Sequence, residues 1–241
     1  MITIQKIGKL FILLLVVAGL ASCNDDETAP FEVTGDAIIV KRKINDEIRY
    51  ARYLYAYGNY PMTSAKVTPP EGGEITLESL YVNNYTYADI PDTSGFTTTL
   101  PDIGQFTFTV VNEDIEHVVN ESLSFNDLDI PVIDSISYSN QTIFVGWELP
   151  ATDKPDSYLV VLVDEDYESV FSGVLLSNTA DRYVIANQSG TWAKTPVNGE
   201  TYMVEVHAFK YESGFTADNY FLNANDLSIA SAEVVWGEDL N

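Results

Sequence analysis

In the run Val197-Asn198-Gly199-Glu200-Thr201-Tyr202-Met203-Val204-Glu205-Val206-His207-Ala208, a turn signal gives way to apolar side chains that return at every second residue. Asn198-Gly199 is the turn. Tyr202, Val204, Val206 and Ala208 then share one face, and Glu205 and His207 share the other, which is the period of a half-buried β-strand. On this register His207 points outward beside Glu205, as an exposed strand histidine. The same alternation recurs upstream at Ile143, Val145 and Trp147, at Tyr158, Val160 and Leu162, and at Tyr183 with Ile185.

Working toward the N-terminus, the pattern continues in shorter runs. They fall at residues 37–44, 48–57, 62–68, 74–80, 81–88, 96–100, 105–111 and 117–125. Gly58-Asn59, Pro69-Pro70-Glu71-Gly72-Gly73, Asn83-Asn84, Pro91-Asp92 and Pro101-Asp102-Ile103-Gly104 separate them. No long stretch has apolar residues at helical spacing, so the chain reads as all-β, with seven or eight short strands in its first half. Asp127-Leu128-Asp129-Ile130-Pro131 ends one strand pattern and starts another. The expected organisation is two tandem β-sandwich domains, residues 35–130 and 131–241.

The second half carries a closer likeness. A strand Trp (Trp147), a Tyr-x-Val strand (Tyr158, Val160) and the Gly-x-x-Tyr-x-Val-x-Val-x-Ala run from Gly199 to Ala208 together resemble a fibronectin type III domain. The first half resembles an immunoglobulin-like module more loosely, through the hairpin around Phe106, Phe108 and Val110. The likeness implies that Trp147 fills the space between two sheets and that Tyr202 closes a corner where the chain changes sheets. It departs from the family in the long excursion 210–227 before a final strand at 228–236. That excursion carries Tyr211, Phe215, Tyr220, Phe221 and Leu222, too apolar for a solvated loop. It is expected to pack near Ile130-Pro131. Such a fold indicates no particular activity.

The N-terminus carries an address. Lys6 and Lys9 precede an apolar run from Leu10 to Leu20, short for a membrane span and of signal-peptide length. Leu20-Ala21-Ser22-Cys23 follows and resembles the lipobox of bacterial lipoproteins. That resemblance implies removal of residues 1–22, lipidation of Cys23, and an acidic tether over 23–34. Asn24-Asp25-Asp26-Glu27 resembles the signal that exports lipoproteins to the outer face of the outer membrane. The expectation is a chain anchored to the outer membrane by lipid and facing the cell exterior. Cys23 is the only cysteine, so no disulfide framework or cysteine metal site is possible.

Charge narrows the partners further. Loss of Lys6 and Lys9 with the signal takes the formal charge from −24 to −26. A surface this acidic repels nucleic acid and anionic head groups. Catalytic constellations are scarce, with two histidines, one in each half. Neither a phosphate loop nor a nucleophile elbow occurs, and no cofactor or metal is expected. Asp164-Glu165-Asp166-Tyr167-Glu168 lacks the calcium-loop pattern and reads as a solvated turn.

Two aromatic features bear on binding. Tyr53, Tyr55 and Tyr57 lie on one strand face, either exposed for stacking on sugar rings or half-buried as ordinary strand residues. Trp192 sits in the loop-like segment 187–193, either as a lid on the sandwich end or as a ligand platform. The expected function is that of a non-catalytic surface lipoprotein, a binding or spacer module for a glycan or nutrient. A structural or adhesive envelope subunit that recognises a protein by edge-strand pairing is the alternative.

Overall fold

The computed structural model describes residues 29–215 and 223–238. The expected signal segment 1–22, Cys23, the first part of the expected tether and the excursion residues Tyr220, Phe221 and Leu222 lie outside them. Residues Glu32–Asn241 form one compact unit.

The first half supplies β1 (Val33–Ile44), β2 (Glu47–Gly58), β3 (Ser64–Thr68), β4 (Ile75–Ser79), β5 (Thr86–Asp89), β6 (Gly104–Asn112) and β7 (Ile115–Leu123). Their order in the sheet is β1-β2-β5-β4-β3-β6-β7, and the sheet folds over so that β7 comes against β1. Alternating residues fill the interior: Leu54 and Ala56 of β2, Ala65 and Val67 of β3, and Phe106, Phe108 and Val110 of β6. Gly35 is required where β1 crosses this core, because a Cβ there would lie 2.4 Å from Cδ2 of Phe108. Asn45-Asp46 closes the β1–β2 hairpin with both residues at positive φ, the two-residue turn that matches strand twist.

Two expected strands are corrected. Residues 96–100 make only a single bridge, Thr97 to Tyr50, after a short 3-10 turn at Thr93–Gly95. Asp92 caps that turn by accepting the Ser94 N–H at 2.8 Å. Pro101, which has no N–H of its own, stops the ladder from continuing past residue 100. The run 81–88 keeps only its last part as strand, since the turn through Asn84 (φ 57°) takes up the rest.

The second half supplies β8 (Val132–Ser139), β9 (Thr142–Glu148), β10 (Ser157–Val163), β11 (Ser169–Gly173), β12 (Leu176–Ser177), β13 (Arg182–Ile185), β14 (Gly190–Trp192), β15 (Thr201–Tyr211) and β16 (Ala224–Val235). The sheet β8-β9-β13 faces β14-β11-β10-β15-β16, with β12 paired to β10. Between them lie the expected inward residues, Ile143, Val145, Trp147, Tyr158, Val160, Leu162, Tyr183, Ile185, Val204 and Val206. The Trp147 and Tyr158 rings meet at 5.3 Å between centroids. Tyr202 closes its corner by accepting the Val197 N–H at 2.9 Å. The chain is all-β, and in its second half two sheets face each other as a fibronectin type III-like β-sandwich.

The halves are joined by strand pairing. β1 runs parallel to β16, with Ile39 opposite Asp226 and Arg42 opposite Ile229, so one sheet continues from β14 to β7. The last strand begins at Ala224 rather than at residue 228, and β15 runs on to Tyr211, so both ends of the excursion belong to an elongated β15–β16 ladder. Its returning arm grips the connection between β7 and β8, where the expected division at 130/131 also falls. Ser124 N–H donates to Asn225 Oδ1, Asn126 Nδ2 to Asp226, and Ser228 Oγ to the Leu128 carbonyl. A second core crosses the boundary, with Leu159, Val161, Val163, Phe209 and Ile229 packed beside Ile38, Val40 and Ala51.

Candidate functional site

Trp192 belongs to a strand, not to a loop. β14 pairs with β11 through Phe171–Trp192 and Gly173–Gly190. Gly190 permits this, since a Cβ there would sit 2.3 Å from the Ser172 carbonyl oxygen. The indole packs on Phe171 at 4.7 Å and edge-on to Trp236 at 5.7 Å, and its N–H donates to the Ala186 carbonyl at 3.4 Å. The lid reading is therefore the geometric one, and the half-buried ring also walls a cleft of about 490 Å³. Asn140, Gln141, Asn187, Asn198 and Trp236 line it as well. Apolar ring surface beside several amides gives stacking area with both donors and acceptors, the combination a polyol needs.

The tyrosine row divides. Tyr53 and Tyr55 pack against the second core, edge to edge at 6.5 Å, and Tyr53 also meets Phe96 at 6.4 Å. Burial pushes the Tyr53 hydroxyl up to about 12 and raises that of Tyr55 further. Only Tyr57 is exposed, at the end of β2. The structure does not bring this row together with Trp192: β2 lies beyond β16 and β1 from the sandwich that holds Trp192.

His207 is not the open strand histidine expected from the alternation. Its Nε2 lies 2.8 Å from Glu205 Oε2, and Glu205 Oε1 accepts from Arg42 Nη2 at 2.7 Å. Arg42 reaches over from β1, between the rings of Phe96 and Tyr167. Burial acts to raise the Glu205 carboxyl, but the hydrogen bonds and charges of His207 and Arg42 outweigh it and hold the group below its ordinary value. The alternation failed here because this outward face is covered by the neighbouring half. A charged pair whose members stand 163 positions apart leaves no local signal.

A carboxylate group sits at the same junction. Burial, then the charges of Glu212 and Glu121, raise Asp36 well above the ordinary range. Burial and a hydrogen bond with Glu121 raise Glu212 to about 7. Among the described residues no cluster has metal-ligating geometry. In the acidic turn Asp164 accepts the N–H groups of Asp166 and Glu168 and pairs with Lys194 at 2.8 Å, so its oxygens are occupied within the turn.

No protein-family model matches the chain, and neither does any curated protein. Among solved structures it is similar to a two fibronectin type III domain segment from chicken tenascin. That match has 16% identity, covers 86% of this chain and 97% of that one, and has a TM-score of 0.29. It is also similar to the FN1-FN3 domains of chicken CNTN1, at 11% identity over 84% of this chain and 64% of that one, with a TM-score of 0.32. At such identity the likeness concerns fold alone.

Proposed function

We propose that this chain is a non-catalytic, lipid-anchored cell-surface module that presents the Trp192–Trp236 cleft to a glycan. The observation that carries the reading is the cleft's composition, two indoles beside three asparagines and a glutamine, at the end of the unit away from the start of β1. β1 starts at Val33, and β16 overlaps only its C-terminal part before running on to Val235 beside the cleft. The lipobox-like Leu20-Ala21-Ser22-Cys23 supports anchoring at the outer membrane, and the acidic surface supports an exterior location over contact with nucleic acid.

A glycan array probed with the purified chain and with Trp192→Ala tests the reading. Specific glycan binding that the substitution abolishes, with the thermal midpoint retained, supports it. A chain that binds no glycan but co-purifies with a protein partner favours the adhesive alternative. For that alternative β7, which ends the long sheet and exposes Ile115 and Val118, is one of the terminal strands to test for pairing.

A further inference from the structure

We infer that the turn Leu80-Tyr81-Val82 is a membrane-contacting tip that seats the N-terminal pole of the unit on the lipid surface; this rests on the anchored reading above. Three observations place it. The first is exposure: Val82 is fully exposed, Tyr81 is 62% exposed and Leu80 40%, three successive apolar side chains turned to solvent. The turn holds them outward rather than letting them fold back. Asn84 N–H donates to the Tyr81 carbonyl at 3.0 Å, Leu80 N–H to the Thr86 carbonyl at 3.0 Å, and Ser79 Oγ to the Tyr81 carbonyl at 2.8 Å.

The second is position. The tip stands at the pole where the chain enters the unit. Gly58 N–H donates to the Tyr85 carbonyl at 2.9 Å, and the next residue, Asn59, is clasped to Glu32 from both sides. Its N–H reaches the Glu32 carbonyl at 3.0 Å, and its Oδ1 accepts the Glu32 N–H at 2.8 Å. Nine residue steps lead from Cys23 to Glu32, a reach of at most about 30 Å. A lipid on Cys23 therefore keeps this pole within that distance of the bilayer, and the exposed apolar turn lies on it.

The third is chemistry. Tyr81 is an amphipathic ring suited to the head-group level, and exposed Tyr57 stands on the same pole. The charges that face the tip are acidic: Glu32 beside Asn59, Glu78 on β4, and Glu113, Asp114 and Glu116 around the β6–β7 turn, which Asn112 Nδ2 ties to the Pro61 carbonyl at 2.7 Å. The fitting surface is accordingly zwitterionic, since an anionic one would repel this rim.

The test uses the full lipidated chain in zwitterionic phosphatidylcholine vesicles, with Val82→Cys carrying an environment-sensitive fluorophore. The thioether at Cys23 leaves the introduced thiol as the single reactive one. Asn187→Cys, at the cleft, is the control position. The expected result is blue-shifted emission at position 82, quenched by lipid-borne nitroxides, with aqueous emission at 187. Aqueous emission at both positions on a protein that carries fatty-acid label overturns the tip while leaving the anchor intact. Absence of fatty-acid label on the unsubstituted chain overturns both. A shift at position 82 seen in cells but not in protein-free vesicles assigns the tip to a protein partner and overturns the lipid assignment.

Discussion

Trp147 shows what a single side chain carries in this molecule. It is buried at the centre of the second sandwich, in contact with Tyr158 across the sheets. Its replacement by alanine should cost about 3–5 kcal/mol, because the transfer loss is joined by a cavity that two stiff sheets cannot collapse. Chemical denaturation reads this directly, and a loss below about 1 kcal/mol would mean that the indole is not central. Trp147 and Tyr202 were legible from sequence because both obey the strand period. Glu212 was not, since nothing local marks a carboxyl that meets Glu121 of another strand. Its raised value has a definite consequence. Relative to an ordinary glutamate, the folded form holds its proton more tightly, so this group's contribution to stability is complete below about pH 4.5 and is lost as pH rises through about 7. Asp36, also raised, acts in the same direction at that junction. Thermal midpoints should therefore climb as pH is lowered from about 8 toward 5, and Glu212→Gln should flatten that slope. An unchanged slope in the variant would dissociate Glu212 from the pH response.

At the level of elements, the β15–β16 hairpin is where sequence reading and structure part. Its aromatic content marked the excursion as too apolar for a solvated loop, yet Phe215 is exposed, and the contacts with the connection between the halves come from Asn225, Asp226 and Ser228 on the returning arm. What the strand period could not reveal is that this arm begins the last strand early and pairs in parallel with β1. Parallel pairing between distant segments is set by tertiary packing, and no turn chemistry announces it. The expected outward face of β15 misled for a related reason, because residues of the first half, Arg42 with Phe96 beside it, reach over that face. Arg42 and Glu205 sit on that covered face with side chains 7% and 6% exposed. Glu205→Ala should thus cost about 3–5 kcal/mol, leaving the guanidinium buried without its counter-charge. The loss should appear in both halves together, as a single cooperative transition shifted down. Loss of stability confined to the second half, with first-half amides keeping their hydrogen-exchange protection, would show that the pair does not couple them.

For the whole unit, the question is whether two sandwiches in sequence behave as two bodies or as one. Tandem modules on a plain linker sample a range of elbow angles, as small and polar interfaces allow. Here the linkage is a backbone ladder from Ile39–Arg42 to residues 226–229, a core of apolar residues drawn from both halves, and a buried ion pair. Bending at the junction would break ladder hydrogen bonds and expose Val161, Phe209 and Ile229, so the cost rises steeply with angle rather than softly. Along β1 and on through β16, the path from Val33 to Val235 passes about fifteen residue steps, or roughly 50 Å of strand. That is the distance over which a rigid unit would hold the cleft away from the end where β1 begins. Spin labels at Val82→Cys and Asn187→Cys, in a Cys23→Ser background that leaves them the only thiols, report this directly by pulsed dipolar spectroscopy. A single narrow distance distribution is expected, and Glu205→Ala should broaden it before the protein unfolds. A broad distribution in the unsubstituted junction would mean that the continuous sheet does not stiffen the molecule, and the cleft would then swing freely relative to the start of β1.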